Sequence, residues 1–282
     1  MRKIEIKYTG TNDQIFKNIF NNPKILSSYL KLLDIDIHPE EIVYENVEGD
    51  KDVRFKSVRF DIRIKASHTR IDIESQRQKI SGVDCEDRKV DWKTYQTRRK
   101  IHYLCVLHSK AYDKGETYHE GRQSKVIFFL DYDVEGEDSI QRTKLVNTST
   151  KEAYEEVEII EVFLGKRRED DTIEGRMFNV LTRKDITKYY GEEGIVGGVA
   201  KMIFELNADE RLKNRIQYEE DMRREEAGLL KGSYDEGYYR GQEKGQKKAK
   251  FETAKRLKSM GLSDEMISEG TGLSLKEVKK LK

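Results

Sequence analysis

Asp61 and Glu74 are two carboxylates that one predicted hairpin would bring together, and Gln76 follows Glu74 by two positions. Facing carboxylates repel each other unless something compensates them, and a divalent cation would do so. Mg²⁺ ligands lie about 2.1 Å from the ion, so two coordinating oxygens must be within about 4.2 Å of each other. The main-chain carbonyl of Ser75 is a natural third ligand. An ion held in this way activates water and neutralises charge on a phosphate, which is the chemistry of a hydrolytic metal site.

The strands that would position these acids are visible as period-two patterns. Residues 58–65 and 71–76 alternate apolar, often β-branched side chains with polar ones, which is typical of half-buried strands. If Lys65 lies opposite Arg70 across a four-residue loop, residues 66–69, the same antiparallel register places Asp61 opposite Glu74, with Cβ atoms about 5 Å apart on one face. The alternative is an ordinary polar strand face, because this pattern of acids is common by chance.

The surrounding segments predict a mixed α/β core. Helical spacing of apolar residues predicts helices at residues 13–33 (interrupted at Pro23), 92–112, 177–190 and 194–206. Further strands are predicted at residues 43–44, 125–131 and 157–164. The run at 125–131 is continuously apolar, as in a strand buried on both faces. The order helix, strand, hairpin, helix and buried strand indicates the α/β class.

The composition changes near residue 205, after which Lys, Arg, Glu and Gly dominate. Residues 209–250 predict a charged helix with glycines four or five positions apart, which would be a solvated spacer or a self-association helix. Residues 254–282 predict a small helical hairpin that resembles a helix-turn-helix, with Ser263 as the cap of one helix and Ser274 with Glu277 as the capping box of the other. Lys276 and Lys279 on its last helix would contact DNA, or would belong to a solvated end of an oligomerisation element.

Charge and hydropathy exclude several classes of protein. The 54 Lys and Arg residues nearly balance the 53 Asp and Glu residues, and the net charge of +1 excludes a uniformly basic nucleic-acid coat. Two cysteines cannot build a disulfide scaffold or a four-cysteine zinc site. The sequence has no apolar run of the roughly 18 residues that a membrane helix needs, and no secretory signal is recognisable. The expectation is a cytoplasmic protein without a membrane partner.

Several segments, in the same order, are similar to those of the PD-(D/E)xK nuclease superfamily. More narrowly, the chain resembles the bacterial recombination-promoting nuclease / putative transposase family. The segments that carry the resemblance are TNDQIFKNIF (11–20), FDIRIKASHTRIDIESQ (60–76), RKIHYLCVLHSKAYDKGETY (99–118), KVIFFLDYD (125–133) and AKRLKSMGLSDEMISEGTGLSLKEVKKL (254–281). The resemblance implies a restriction-endonuclease-like core, which runs helix, three strands, helix, strand.

The resemblance also implies roles for individual residues. Asp61 and Glu74 would bind the metal, and Gln76 would stand where many nucleases of the superfamily have Lys. Arg99 and Tyr103 match positions of the family's helix motif, whereas His102 departs from it. Because Gln cannot supply a positive charge beside the attacking water, Arg63 or Lys65 on the same strand face would assist.

The predicted function is therefore a Mg²⁺-dependent DNA endonuclease linked to recombination or a mobile element, with Mn²⁺ as an alternative ion. In the predicted mechanism, water attacks a phosphodiester in line, Gln76 positions that water, and Arg99 contacts phosphate. For Arg99 the alternative is a surface ion pair.

Four regions are predicted: a nuclease-like core at 1–165, a helical extension at 166–208, the charged spacer at 209–250 and the helix-turn-helix-like element at 251–282. The C-terminal helices would allow a homo-oligomer. Two alternatives are a nuclease-fold protein that binds nucleic acid or a partner without cutting, and a charged helical scaffold with no site.

Overall fold

The computed structural model describes residues 3–45, 61–77, 82–83, 89–112, 115–119, 121–132, 139–166, 168 and 171–281. The chain divides into two compact units, Met1–Lys213 and Asn214–Lys282. The predicted start of the first hairpin strand, at residues 58–60, lies outside the described residues. Across the described ranges, no helix has the length and apolar character needed to cross a lipid bilayer.

The first unit combines six helices with eight strands among the residues that the structure describes. Its helices are α1 (Asp13–Phe20), α2 (Pro23–Leu32), α3 (Trp92–His108), α4 (Ile173–Thr182), α5 (Thr187–Tyr190) and α6 (Ile195–Ala208). Its strands are β1 (Val43–Glu45), β2 (Ile62–Ala66), β3 (Thr69–Gln76), β4 (Gly82–Val83), β5 (Lys89–Val90), β6 (Gln123–Leu130), β7 (Ile140–Val146) and β8 (Ala153–Phe163). The chain is thus of the α/β class, as predicted.

The main sheet is mixed and has the strand order β1-β2-β3-β6-β8-β7. Strands β1, β2 and β3 form an antiparallel meander, β6 lies parallel to β3, and β8 lies parallel to β6. The short strands β4 and β5 pair separately. Along the chain, α3 lies between the antiparallel meander and β6. Because β3 and β6 are parallel, the connection between them must return across one face of the sheet, and α3 lies on that face.

The two faces of the sheet are covered by different helices. Phe129 of β6 contacts the rings of Phe16, Phe20 and Tyr29, so α1 and α2 cover its face. The ring centroid of Phe128, the preceding residue, lies 6.0 Å from that of Tyr103 of α3. Burial on both sides explains the continuous apolar run of β6. Since Phe128 pairs with Glu74 in the parallel register, Glu74 lies on the α3 face.

Most element predictions are confirmed, with corrections at their ends. The helix predicted at 13–33 is interrupted at Pro23, where α2 begins with Asn22 as its cap. The helix predicted at 177–190 is two helices, because the chain is extended at Arg183. Strand β7 was not predicted, since its sequence is mostly polar and the strand lies at the edge of the sheet.

The charged helix of the C-terminal region, α7 (Glu210–Ser259), continues past its predicted end at residue 250. It is followed by α8 (Asp264–Thr271) and α9 (Leu275–Lys279), as the helical-hairpin prediction requires. Ser263 caps α8, and Ser274 with Glu277 forms the predicted capping box of α9. The small core of this unit consists of buried apolar residues: Ala254, Ile267, Leu273 and Val278.

The glycines of α7 provide a stability test. A Cβ built at Gly232, Gly237 or Gly241 meets nothing within 4 Å, so the triple substitution to alanine is expected to stabilise the helix by about 1 kcal/mol per site. The measurement is thermal unfolding of the full chain followed by circular dichroism at 222 nm. Gly272→Ala is the matched control and should destabilise, because Gly272 has a φ of +67°.

A loss of helicity in the triple variant, together with a change of oligomeric state in size-exclusion chromatography with light scattering, would contradict this expectation. It would favour the self-association interpretation, in which close packing between copies of α7 needs these glycines.

Candidate functional site

The β2–β3 hairpin brings Asp61 and Glu74 together in the predicted register. Lys65 pairs with Arg70, and Ile62, which directly follows Asp61, pairs with Ile73. The link is a two-residue turn rather than the predicted four-residue loop, because Ala66 and Thr69 still pair. The backbone N–H of Asp61 donates to Oε1 of Glu74 at 2.9 Å. The two acids therefore occupy neighbouring positions on the α3 face of the sheet.

Ser75 connects the same two strands through its main chain. Its N–H donates to Oδ2 of Asp61 at 3.2 Å. The N–H and C=O of a strand residue point to the same edge, so the Ser75 carbonyl is directed toward the edge where Asp61 lies. The Ser75 hydroxyl donates to the carbonyl of Thr11 at 3.2 Å, and the Thr11 hydroxyl donates to Asp131 at 2.5 Å. The chain just before α1 thus braces this end of β3.

Lys17 of α1 forms an ion pair with Asp61. Its Nζ lies 2.9 Å from Oδ1 of Asp61, and both side chains are more than two-thirds buried. The sequence analysis did not identify Lys17, although it lies within the segment 11–20 that carries part of the resemblance. Its contact with Asp61 depends on how α1 packs against the sheet, which helical spacing alone does not specify.

Arg99 of α3 links the other polar residues of the site. Its guanidinium group donates to Oε1 of Gln76 at 2.7 Å and to Oε2 of Glu74 at 3.2 Å. It also donates to the Tyr103 hydroxyl at 3.3 Å and stacks on the Tyr103 ring, with Cζ 5.0 Å from the centroid. Arg99 thus forms an ion pair with Glu74, and its side chain is only 23% exposed, so this pair is largely buried. The contact of Arg99 with phosphate stays a prediction.

Burial and charge repulsion act on the carboxyl group of Glu74. Desolvation, followed by the negative charge of Asp61, raises the pKa of Glu74 to about 8, although its hydrogen bond from Asp61 and the charges of Arg99 and Lys17 oppose this. Asp61 acts on Glu74 because the two residues are neighbours, as the hydrogen bond from the Asp61 N–H to Glu74 requires. A cation placed between them would reverse this shift.

A third acid, Asp72, lies on the same strand face and was missed by the sequence analysis. It is fully buried, and neither carboxylate oxygen has a hydrogen-bond partner among the described residues. Desolvation, reinforced by Glu74 and Asp61, raises the pKa of Asp72 well above its usual range. Its position two residues before Glu74 was a usable signal, because residues i and i+2 of a strand share a face.

Asp72→Asn is expected to make the metal-free protein more stable at high pH. The unfolded chain loses the Asp72 proton near pH 4 whereas the folded chain retains it, so this acid costs more stability as the pH rises toward its folded pKa. The stability of the variant relative to the natural protein should therefore increase from pH 5 to pH 8.

Urea unfolding in EDTA at both pH values measures this difference. Asp36→Asn, at an exposed position, is the control and should show no such trend. If the Asp72→Asn variant is less stable than the natural protein at pH 8, Asp72 is ionised in the folded protein and its charge is stabilised by a cationic partner, which contradicts the expectation.

The residues that could hold a metal ion are limited in number. Among the described residues, no three His, Cys, Asp or Glu side chains form a cluster that could bind a metal ion. An ion at this site would use Asp61, Glu74, the Ser75 carbonyl and water. Mg²⁺ suits such a set, because it keeps several waters and commonly takes only one or two protein carboxylates. The buried, mutually repelling acids are consistent with this donor set.

Four further predicted site residues lie outside the cluster of Asp61, Glu74, Gln76 and Arg99. Arg63 and Lys65 are on the same strand face as Asp61, opposite Asp72 and Arg70 respectively. Lys276 and Lys279 are exposed on α9 of the C-terminal unit. Their assignment to DNA binding stays a prediction.

Comparisons with known proteins give no relative for this chain. No protein-family model, no curated protein and no solved structure matches it. The function must therefore be inferred from the residues and their arrangement.

Proposed function

We propose that this protein is a metal-dependent endodeoxyribonuclease that hydrolyses phosphodiester bonds. The observation that carries the proposal is the pairing of Asp61 with Glu74 at the end of the β2–β3 hairpin, with a main-chain carbonyl directed to the same edge. The order of α1–α2, three strands, α3 and β6 supports a restriction-endonuclease-like core of the PD-(D/E)xK type. The link to recombination or a mobile element rests on the resemblance of the sequence alone.

Each residue has a distinct role in this proposal. Asp61, Glu74 and the Ser75 carbonyl hold Mg²⁺ or Mn²⁺. When bound, the ion supplies activation of water and neutralisation of phosphate charge. Gln76 orients the attacking water. Arg99 is a positioning residue that fixes Glu74 and Gln76 through its two hydrogen bonds, and its charge stabilises the pentacoordinate phosphate.

Nicking of supercoiled plasmid DNA tests this function. The protein is expected to convert supercoiled plasmid to the open-circular form in Mg²⁺ or Mn²⁺, and EDTA should abolish the conversion. Folded protein that leaves the plasmid intact in both metals, at micromolar concentration and over hours, would refute the proposal.

A second candidate is a nuclease-fold protein that binds nucleic acid or a protein partner without cutting. The observation that favours it is that cationic side chains already compensate both acids, Lys17 at Asp61 and Arg99 at Glu74. A shift of DNA mobility without nicking, unchanged by metal, would support this candidate over the first.

A further inference from the structure

A pocket of about 360 Å³ opens where the C-terminal end of α3 meets the meander of β1, β2 and β3. It lies on the α3 face of the sheet, because α3 supplies one wall. The polar residues that line it are Glu45, Arg63, Arg70, Ser109, Lys110 and Tyr112. Three of these side chains are cationic and one is anionic, so the lining carries a net charge of about +2 although the whole chain carries only +1.

Arg70 supplies the second observation that points to a ligand. Its side chain is only 14% exposed, and its Nε lies 3.4 Å from Oε1 of Glu45. Its Nη1 is buried and has no hydrogen-bond acceptor among the described residues. A buried guanidinium N–H without an acceptor is uncommon in native proteins and indicates a missing partner. The partner that suits a guanidinium fork is an oxyanion, phosphate above all.

The pocket and the acids belong to one strip of the sheet. Arg63 lies opposite Asp72, one pair further from Asp61 and Glu74, and Lys65 with Arg70 forms the next pair on the same face. Each such step along a strand is about 6.6 Å. Two such steps place Arg70 about 13 Å from Glu74, with the fully buried Asp72 between them.

We infer that the pocket at Arg70 binds a phosphate group of the nucleic-acid strand, at a position separate from the phosphate that is cut. The nucleic acid as the source of this phosphate rests on the proposed function. The phosphate chemistry of the pocket does not, because it follows from the buried guanidinium group and the charge of the lining. Arg70 and Lys110 would bind the phosphate oxygens, and Glu45 weakens that binding through its negative charge.

The test is binding of a short fluorescein-labelled DNA duplex, measured by fluorescence anisotropy in EDTA over a range of salt concentrations. Lys110→Ala and Arg70→Gln should each weaken binding about tenfold at low salt. Each should also lower the slope of log K against log salt by about 0.9, because one phosphate contact is lost. Lys31→Ala, on the opposite side of the sheet, is the matched control and should change neither quantity.

Glu45→Gln separates a binding role from a structural one. If the pocket binds phosphate, removal of the competing carboxylate should tighten DNA binding several-fold. If Arg70 serves only its ion pair with Glu45, the substitution will leave binding unchanged. Unchanged affinity in Glu45→Gln, with unchanged salt slopes in Lys110→Ala, overturns the inference even if Arg70→Gln fails to fold.

Inorganic phosphate distinguishes the source of the ligand. Phosphate should compete with the duplex for binding to the natural protein. It should also raise the melting temperature of the natural protein, and should not raise the melting temperature of the Lys110→Ala variant. If phosphate stabilises the protein while the variants bind the duplex normally, the ligand is a free phosphate and the nucleic-acid assignment is wrong. Binding is measured without metal and is therefore independent of cleavage. If the pocket variants bind the duplex like the natural protein while the protein still cleaves DNA, the phosphate-binding role of the pocket is refuted and the nuclease proposal is not. If the pocket variants have lower salt slopes but the natural protein does not cleave DNA, only the nuclease proposal is refuted.

Discussion

Asp61→Asn and Glu74→Gln are each expected to lower the rate of Mg²⁺-dependent plasmid nicking by about 10³-fold or more. This loss corresponds to about 4 kcal/mol of transition-state stabilisation. The physical reason is that the proposed ion has two carboxylate ligands among the described residues, so neutralising either one removes half of these charged ligands. Both substitutions keep the size and hydrogen-bonding shape of the side chain.

Two measurements make this expectation specific. Glu74→Gln should fold at least as stably as the natural protein without metal, because it removes a buried acid whose pKa is raised by burial. Glu152→Gln, at an exposed position, makes the same chemical change and should nick plasmid at the natural rate. Folded Asp61→Asn and Glu74→Gln that retain full nicking would show that these acids do not hold a catalytic ion.

The nicking rate at subsaturating Mg²⁺ is expected to rise about tenfold from pH 6 to pH 7 and to level off above about pH 8. The raised pKa of Glu74, about 8 without metal, means that this carboxyl is mostly protonated at pH 6. Metal binding needs the carboxylate, and the deprotonated fraction changes about tenfold per pH unit below the pKa. The affinity for Mg²⁺, and with it the nicking rate, should therefore increase as the pH rises.

Calorimetry of Mg²⁺ binding at pH 7, in buffers with different ionisation enthalpies, gives an independent measurement. Close to one proton should be released for each ion bound, and the release should vanish in Glu74→Gln. Saturating Mg²⁺ should move the midpoint of the rate profile to lower pH. A rate that is flat from pH 6 to pH 9 at subsaturating metal, with no proton release, would contradict the assigned state of Glu74.

The same raised pKa has a consequence for the metal-free protein. Its folded state retains a proton on Glu74 that the unfolded chain loses near pH 4.5, so the contribution of this group to stability declines as the pH rises from about 4.5 to 8. Asp72 contributes in the same direction. A bound cation would remove much of this cost, so that added Mg²⁺ should stabilise the protein most above pH 7.

The sequence by itself determined the local features of this protein. Period-two alternation and a short link specify which residues of β2 and β3 pair, because a shift of one residue would turn every apolar side chain to the wrong face. Given the pairing of Lys65 with Arg70 across the link, the position of Asp61 beside Glu74 follows. Helix caps such as Ser274 were readable for the same reason, since their hydrogen bonds join residues only a few positions apart.

Only the tertiary structure decided what surrounds the acids. Lys17, Glu74 and Arg99 lie far apart along the chain, and they meet because α1 and α3 pack at this end of the sheet. The complete burial of Asp72, with no partner among the described residues, likewise depends on the placement of β6 beside β3 and of α3 above both. Charge compensation, burial and the raised pKa values depend on contacts between distant segments, and the spacing of residues along the chain carries no information about those contacts.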